Sequence, residues 1–212
     1  MPSLMSKKIV MVGGGGHCVS VIDAARSSSK FDDIVITDKE LAVNTVLCGS
    51  RVVGNDEVLS SLFRKGYTNA FISVGSITDT TIRRNLYHKI KRVGFEFPCI
   101  EDGSSIVSKN AQLEDGVFVG KGAVINGNCE VDKFAIINSG SIIEHNCKIG
   151  EFSHVSVGAV ICGDCIIGKD VFIGANTTII QGLKVGDNSI IGAGSLVLRD
   201  VPENVTVYGT WA

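Results

Sequence analysis

The chain is expected to fold as a parallel β-helix of six-residue turns preceded by a small Rossmann-like α/β domain. Three observations carry that expectation. An aliphatic residue recurs at every sixth position for about ninety residues, and a column of small residues follows four positions behind it. The first hundred residues instead alternate short apolar runs with helical segments around a glycine cluster.

The aliphatic column begins at Val107 and runs through Leu113, Val119, Ile125 and on to Val185, Ile191 and Val197. Leu113 is its one member without a β-branch. Neither a helical period of 3.6 nor a strand period of 2 produces a spacing of six over such a length. The second column includes Ala123, Cys129, Ala135, Ser141, Cys147, Ser153, Ala159 and Cys165. Branched residues filling an interior, followed by small ones at the turns, suit a narrow prism. Three six-residue sides close the smallest prism, so residues 18 apart would stack about 4.8 Å apart, as bonded strands do. About five coils result. Gly120, Gly150, Gly168, Gly174, Gly186 and Gly192 follow aliphatic positions, where a missing Cβ is expected to ease a bend.

In the first hundred residues, the apolar run 9–12 leads into Gly13, Gly14, Gly15, Gly16 and His17. A helix is expected over 18–25, then a strand at 34–36 ending near Asp38. This order resembles a dinucleotide-binding fingerprint, in which glycines let phosphate approach backbone N–H groups at a helix start. The full G-x-G-x-x-G is not completed, because position 18 is Cys. Further elements are read as a strand at 52–53, a helix at 56–65, a strand at 70–74 and a helix at 80–93. Gly75 would face a ligand at the strand ends, and 95–102 would form a hinge. Domain limits of 1–100 and 101–212 follow.

Composition narrows the function classes. The apolar fraction of 44% is mostly aliphatic, since only 6% of residues are aromatic. A net charge of -2 without a basic run gives no support for a nucleic-acid or membrane-surface partner. No apolar stretch approaches 18 residues and the N-terminus lacks a signal-peptide core, so a cytoplasmic protein is expected. Seven cysteines argue against a disulfide framework. Cys162 and Cys165 make a C-x-x-C pair, but Cys129, Cys147 and Cys165 already belong to the small column. No metal site is expected, since the ligands it would need are committed to packing.

His145 and His154 occupy neither column and should point outward or lie on an edge. Gly163 stands 18 residues after His145, one coil above it, whereas His154 lies well round the prism. One prism would hold the two histidines apart; prisms packed side by side would bring them into one cleft. A neutral histidine suits general-base removal of a proton from an amine or hydroxyl.

The segment N-S-G-S-I-I-E-H-N-C-K-I-G-E-F-S-H-V-S-V-G-A over 138–159, together with the GGGGH run, resembles the sugar O-acyltransferase branch of the left-handed β-helix acyltransferases. That branch includes sialic acid O-acetyltransferases and nucleotide-amino-sugar N-acetyltransferases. The central motif is especially similar to bacterial enzymes that acetylate a UDP-linked 4-amino-4,6-dideoxy sugar. The resemblance implies a left-handed helix, a homotrimer with active sites between subunits, and acetyl-CoA as co-substrate without a metal. It implies His145 as general base, with Asn138 in the same pocket segment. His154 would lie near the acetyl group, the Gly163 N–H would steady the thioester oxygen, and CoA would run past outward residues such as Lys184. Gly13, Gly15, Gly16, His17, Asp38 and Gly75 would hold the nucleotide sugar.

In the pattern an acid follows the histidine, but this chain has Asn146, whose amide oxygen is expected to accept the imidazole N–H. Glu144 is the other neighbour in a position to stand in for the acid. Trp211 would cover the adenine of CoA or cap the last coil. The activity implied is transfer of acetyl to a nucleotide-linked 4-amino-4,6-dideoxy sugar. The alternatives are O-acetylation of a sugar of the sialic acid type, and a non-catalytic sugar-binding solenoid.

Overall fold

The computed structural model describes residues 7–212. The first six residues, part of the N-terminal stretch read for a leader, lie outside them. Two compact units are present among the described residues: one comprises 7–75 plus Thr81–Pro98, the other Ser76–Thr80 plus Cys99–Ala212.

The first unit is a five-stranded sheet with three helices. Strand β1 (Lys8–Val12) lies between β2 (Asp33–Thr37) and β5 (Asn69–Ile72), parallel to both. Ile9, Val10 and Met11 are wholly buried, which is why this strand reads as a continuous apolar run. Beyond β2 comes β4 (Ser50–Gly54), and at the edge β3 (Val46–Leu47), antiparallel to β4. That β3–β4 hairpin was not foreseen. Its two-residue turn, Cys48 and Gly49, has φ of 46° and 72°, the left-handed pair that a tight hairpin requires. Helix α1 spans Gly16–Ser27, α2 Leu59–Arg64 after a 3₁₀ turn at Asp56–Val58, and α3 Thr81–Val93.

The second unit is a parallel β-helix with three hexads to each coil. Val107, Ile125, Ile143, Ile161, Ile179 and Val197 pair in succession along one seven-stranded sheet. Leu113 to Val185 build a five-stranded sheet, and Val119 to Ile191 a second seven-stranded one. The aliphatic column from Ile125 to Val197 is at most 2% exposed.

The small column also has a polar task. Cys129, Cys147 and Cys165 donate to the carbonyls of Glu144, Cys162 and Ile180 at 3.0–3.1 Å. Ser153 and Thr177 donate likewise to Gly168 and Gly192. Each donor thus satisfies a carbonyl fifteen residues on, and the thiols are neither paired in disulfides nor open to solvent.

Two expectations need correction. The glycines that follow aliphatic positions do not form the bends. A Cβ on Gly150 would lie 2.4 Å from the Gly168 carbonyl oxygen, and one on Gly174 would lie 2.4 Å from the Ala193 nitrogen. These glycines admit the next coil. The bend falls two residues later, in a column of left-handed residues that includes Gly122, Asn128, Gly140, Asn146, Asp164 and Gly182, each with φ near +60° to +76°. Glycine, Asn and Asp tolerate that conformation best.

The solenoid is also longer than 107–197. Ile100–Glu101 forms its first strand, so the hinge expected over 95–102 is shorter; Phe95 and Phe97 are buried within the first unit. At the other end Ile190 pairs with Thr206 and Leu196 with Thr210, sixteen and fourteen residues on rather than eighteen. Trp211 closes that end: its Nε1 donates to the Asp200 carbonyl at 3.1 Å, and the Arg199 guanidinium lies 4.6 Å over its ring.

The two glycine roles predict different penalties. Gly150→Ala should lower stability by about 3 kcal/mol, because the obstructing atoms are backbone. Gly122→Ala, with φ +63° and nothing within 4 Å of a Cβ, should lower it by about 1 kcal/mol. Urea unfolding of the two variants checks the order.

Candidate active site

The first unit holds a cavity of about 480 Å³ at the carboxyl ends of its strands. It brings together Gly13, Gly15, Gly16, His17, Asp38 and Gly75, all of the residues anticipated for a nucleotide pocket. Gly13 has φ +104°, and a Cβ there would lie 2.3 Å from Val74 Cγ2. A Cβ on Gly14 would meet Leu41 at 2.5 Å. At Gly15 and Gly16 nothing lies within 4 Å, so those two open onto the cavity. Gly15 caps α1 with no side-chain acceptor, and the first N–H groups of the helix can receive an anion.

Asp38 does more than line this cavity. Its Oδ2 accepts from Gly14 N at 2.6 Å, and its Oδ1 accepts from Glu40 N and Leu41 N at 2.8 and 2.9 Å. Burial pushes the carboxyl upward, but the backbone donors Gly14, Leu41 and Glu40 outweigh it and hold the group below its ordinary range. Asp38 therefore fixes the glycine loop. Asp56, unforeseen as a site residue, is buried in the same lining, where it accepts from Thr37 Oγ1 and faces Lys89 Nζ at 3.6 Å. Burial lifts the nearby Cys18 thiol to about 11, which leaves it a neutral packing group.

In the second unit, His145 sits on an open corner between the Ile142–Ile143 and Lys148–Ile149 strands. Its ring lies against Gly163 of the next coil: a Cβ there would be 2.5 Å from Cε1 and 2.7 Å from Nε2. The stacking anticipated from the 18-residue interval is thus direct. Asn146 occupies the left-handed turn position, with φ 62°. Its Nδ2 lies 3.2 Å from His145 Nδ1 and donates to Asp164 Oδ1 at 2.9 Å. Its Oδ1 accepts from Asn128 Nδ2 at 3.3 Å. The expectation that the amide oxygen faces the imidazole is therefore corrected: the Asp164 carboxylate draws the nitrogen end to that side. Glu144 does not stand in either, since its Oε2 accepts the His145 backbone N–H at 3.3 Å.

His154 lies in another sheet, between Ile136 and Phe172. It faces out of the prism as anticipated, yet it is only 9% exposed. Nδ1 is 2.9 Å from the Ser76 carbonyl, which can only accept, so Nδ1 carries the proton. Asn138 Nδ2 then donates to Nε2 at 3.3 Å, while Asn138 Oδ1 accepts from Ser139 N. Phe172 packs edge-on to the ring at 5.3 Å. Lys184 is exposed on the five-stranded sheet, and its backbone N–H donates to Asp200. Among the described residues no group of three or more His, Cys, Asp or Glu side chains converges as a metal site would require. No helix among them is long and apolar enough to cross a membrane.

A glycine-loop α/β unit joined to a hexapeptide-repeat solenoid, with a histidine seated on a glycine of the next coil, defines a class of transferase. Residues 8–90 match the PglD N-terminal domain family, and 146–181 and 164–199 match the bacterial transferase hexapeptide (six repeats) family. No curated protein sequence matched the chain. Among solved structures, PerB from Caulobacter crescentus in complex with CoA and GDP-perosamine is 31% identical, with a TM-score of 0.88 over 95% of this chain and 94% of that one. The acetyltransferase domain of PglB from Neisseria gonorrhoeae in complex with acetyl coenzyme A is 27% identical, with a TM-score of 0.89 over 96% and 97% of the two chains. WeeI from Acinetobacter baumannii, 22% identical with a TM-score of 0.83 over 95% and 96%, shares the fold. The chain belongs to the hexapeptide-repeat acyltransferases of the sugar N-acetyltransferase type, and it is an enzyme with their left-handed β-helix.

Two measurements test this geometry. Gly163→Ala should displace the imidazole, since the added Cβ would lie 2.5 Å from Cε1, with little change in the unfolding midpoint. Unmoved His145 ring resonances in the NMR spectrum of that variant would show that the contact is not tight. Because the folded-state pKa of Asp38 is depressed, its hold on the loop is complete above the ordinary carboxylate range, near pH 4, and is lost as pH falls through the lower folded value. Hydrogen exchange should show protected Gly14, Glu40 and Leu41 amides at neutral pH that open only as pH falls through that lower folded value, and that are open at neutral pH in Asp38→Ala.

Proposed function

We propose that the enzyme transfers acetyl from acetyl-CoA to the amino group of a nucleotide-linked 4-amino-4,6-dideoxy sugar, with His145 as general base. The observation that carries this reading is the His145 imidazole seated on Gly163. A titratable ring then lies against the backbone of the next coil at one open corner. Support for the substrate comes from the open glycine loop of the first unit and from the neighbour solved with CoA and GDP-perosamine.

The reaction is direct. The sugar nitrogen attacks the thioester carbonyl carbon, a C–N bond forms, and negative charge gathers on the carbonyl oxygen. The Gly163 N–H steadies that oxygen, where a fixed donor is worth most. The C–S bond then breaks, and CoA leaves as a thiolate. The proton released by nitrogen passes to His145 and from it to the departing thiolate or to solvent. An acyl-cysteine has no place in this scheme. Cys129, Cys147 and Cys165 are wholly buried, and each thiol is committed to a backbone carbonyl of the next coil. Nucleotide phosphates lie at the Gly15–Gly16 end of α1, and Lys184 contacts CoA. The active form is a homotrimer whose transfer sites lie between neighbouring solenoids.

A thiol-release assay with acetyl-CoA and UDP-, GDP- and dTDP-linked 4-amino sugars tests the reading. At least one should be acetylated, and His145→Ala should lower turnover about 10²- to 10⁴-fold, the usual contribution of a general base, with cofactor binding retained. Turnover of free sialic acid beside failure of every nucleotide amino sugar would overturn the substrate. Sedimentation equilibrium should report three chains.

A further inference from the structure

In the reaction proposed above, on which this inference rests, His145 takes a proton. An imidazole protonated at Nε2 carries N–H at both nitrogens, so its Nδ1 side needs an acceptor. Asn146 and Asp164 face that side, and Glu144 adjoins the histidine in sequence. The Glu144 carboxylate is turned onto the backbone N–H of His145. Asn146 is nearest, but the atom it presents is Nδ2, a donor. Its orientation is fixed from both sides: Nδ2 donates to Asp164 Oδ1, and Oδ1 accepts from Asn128. A flipped amide would set its oxygen against the carboxylate. The remaining acceptor is Asp164 Oδ2, 4.0 Å from His145 Nδ1.

We propose that Asp164, supplied by the next coil, is the positioning residue of His145. One of its oxygens holds the Asn146 amide, and the other accepts the Nδ1–H of the proton-loaded ring. The Asp164 backbone is held beside the ring by its N–H donating to the His145 carbonyl at 2.9 Å, so closing 4.0 Å to a hydrogen bond falls to the two side chains. Gly163 immediately precedes Asp164, so one turn supplies both the surface under the ring and its acid. Asn146 and Asp164 stand eighteen residues apart in one left-handed column, and a carboxylate at either position faces Nδ1.

Exchange of the two side chains is the test. Asp164→Asn should lower kcat about 10- to 100-fold, the lower part of the general-base range, and leave the KM for acetyl-CoA within about twofold. The double variant Asn146→Asp/Asp164→Asn, which returns one carboxylate to the ring, should recover most of the lost kcat. A merely structural Asp164 would not be rescued in this way. Wild-type kcat in Asp164→Asn, or a double variant no faster than the single, would overturn the proposal. Activity retained in His145→Ala would instead overturn the underlying base. Nitrogen NMR of histidine-labelled protein needs no sugar: the Nδ1 resonance of the charged His145 ring should move in Asp164→Asn, and an unmoved resonance would refute the pairing.

Discussion

Successive coils of the solenoid lie one peptide hydrogen bond apart, about 4.8 Å, and nearly every other feature of the second unit follows from that spacing. Residues eighteen apart are forced to face each other. Aliphatic side chains must therefore interlock from coil to coil, and the outer corners must admit a neighbouring backbone at close range. Where Gly150 meets Gly168, a single methyl has no room. The buried carbonyls must also find donors, which the Cys, Ser and Thr of the small column provide. The same spacing seats His145 on Gly163 and brings Asn146 within reach of Asp164.

A site built this way is held by its backbone. The His145 corner lies on a turn whose neighbours above and below are bonded to it, through Asp164 N to the His145 carbonyl and Asn146 N to the Gly127 carbonyl. Its side chains need no lid or loop closure to find one another. The glycine loop of the first unit is held differently, by one carboxylate with three backbone donors. Asp38 is thus a structural clamp as well as part of the cavity lining.

Much of this was legible in the sequence because the signals were periodic. Sixfold spacing of β-branched residues marked the strands, and three sides to a coil, the smallest closed prism, added the 18-residue interval that puts His145 against Gly163. What escaped was set by contacts rather than by period. The left-handed column carries no periodic signal because it mixes Gly, Asn, Asp and even Phe134 and Phe152, whose rings stack at 5.0 Å. The solenoid's end was misplaced because the coils shorten after Val197, where Trp211 caps them. His154 reads as an outward residue, and its contact with the Ser76 carbonyl, remote in sequence, has no signal in the repeat. Asp164 has no signal in the residues next to His145, although the 18-residue interval that points to Gly163 from His145 falls on Asp164 from Asn146.

The turn column also explains how a carboxylate can be missing beside His145 and present one coil away. Position 146 must first serve the backbone, adopting φ 62° at a corner that every coil repeats. Among residues with a polar side chain, Asn and Asp meet that demand at least strain. Position 164 has the same demand, with φ 63°. The two sites are conformationally equivalent, and both project to the same side of the imidazole. Placing acids at both would set two carboxylates against each other in one ladder, which raises the free energy of the charged pair. One amide and one acid avoid that repulsion and bond to each other, as Asn146 and Asp164 do. The solenoid fixes where the ring's partners stand, and leaves open which of two stacked turns carries the charge.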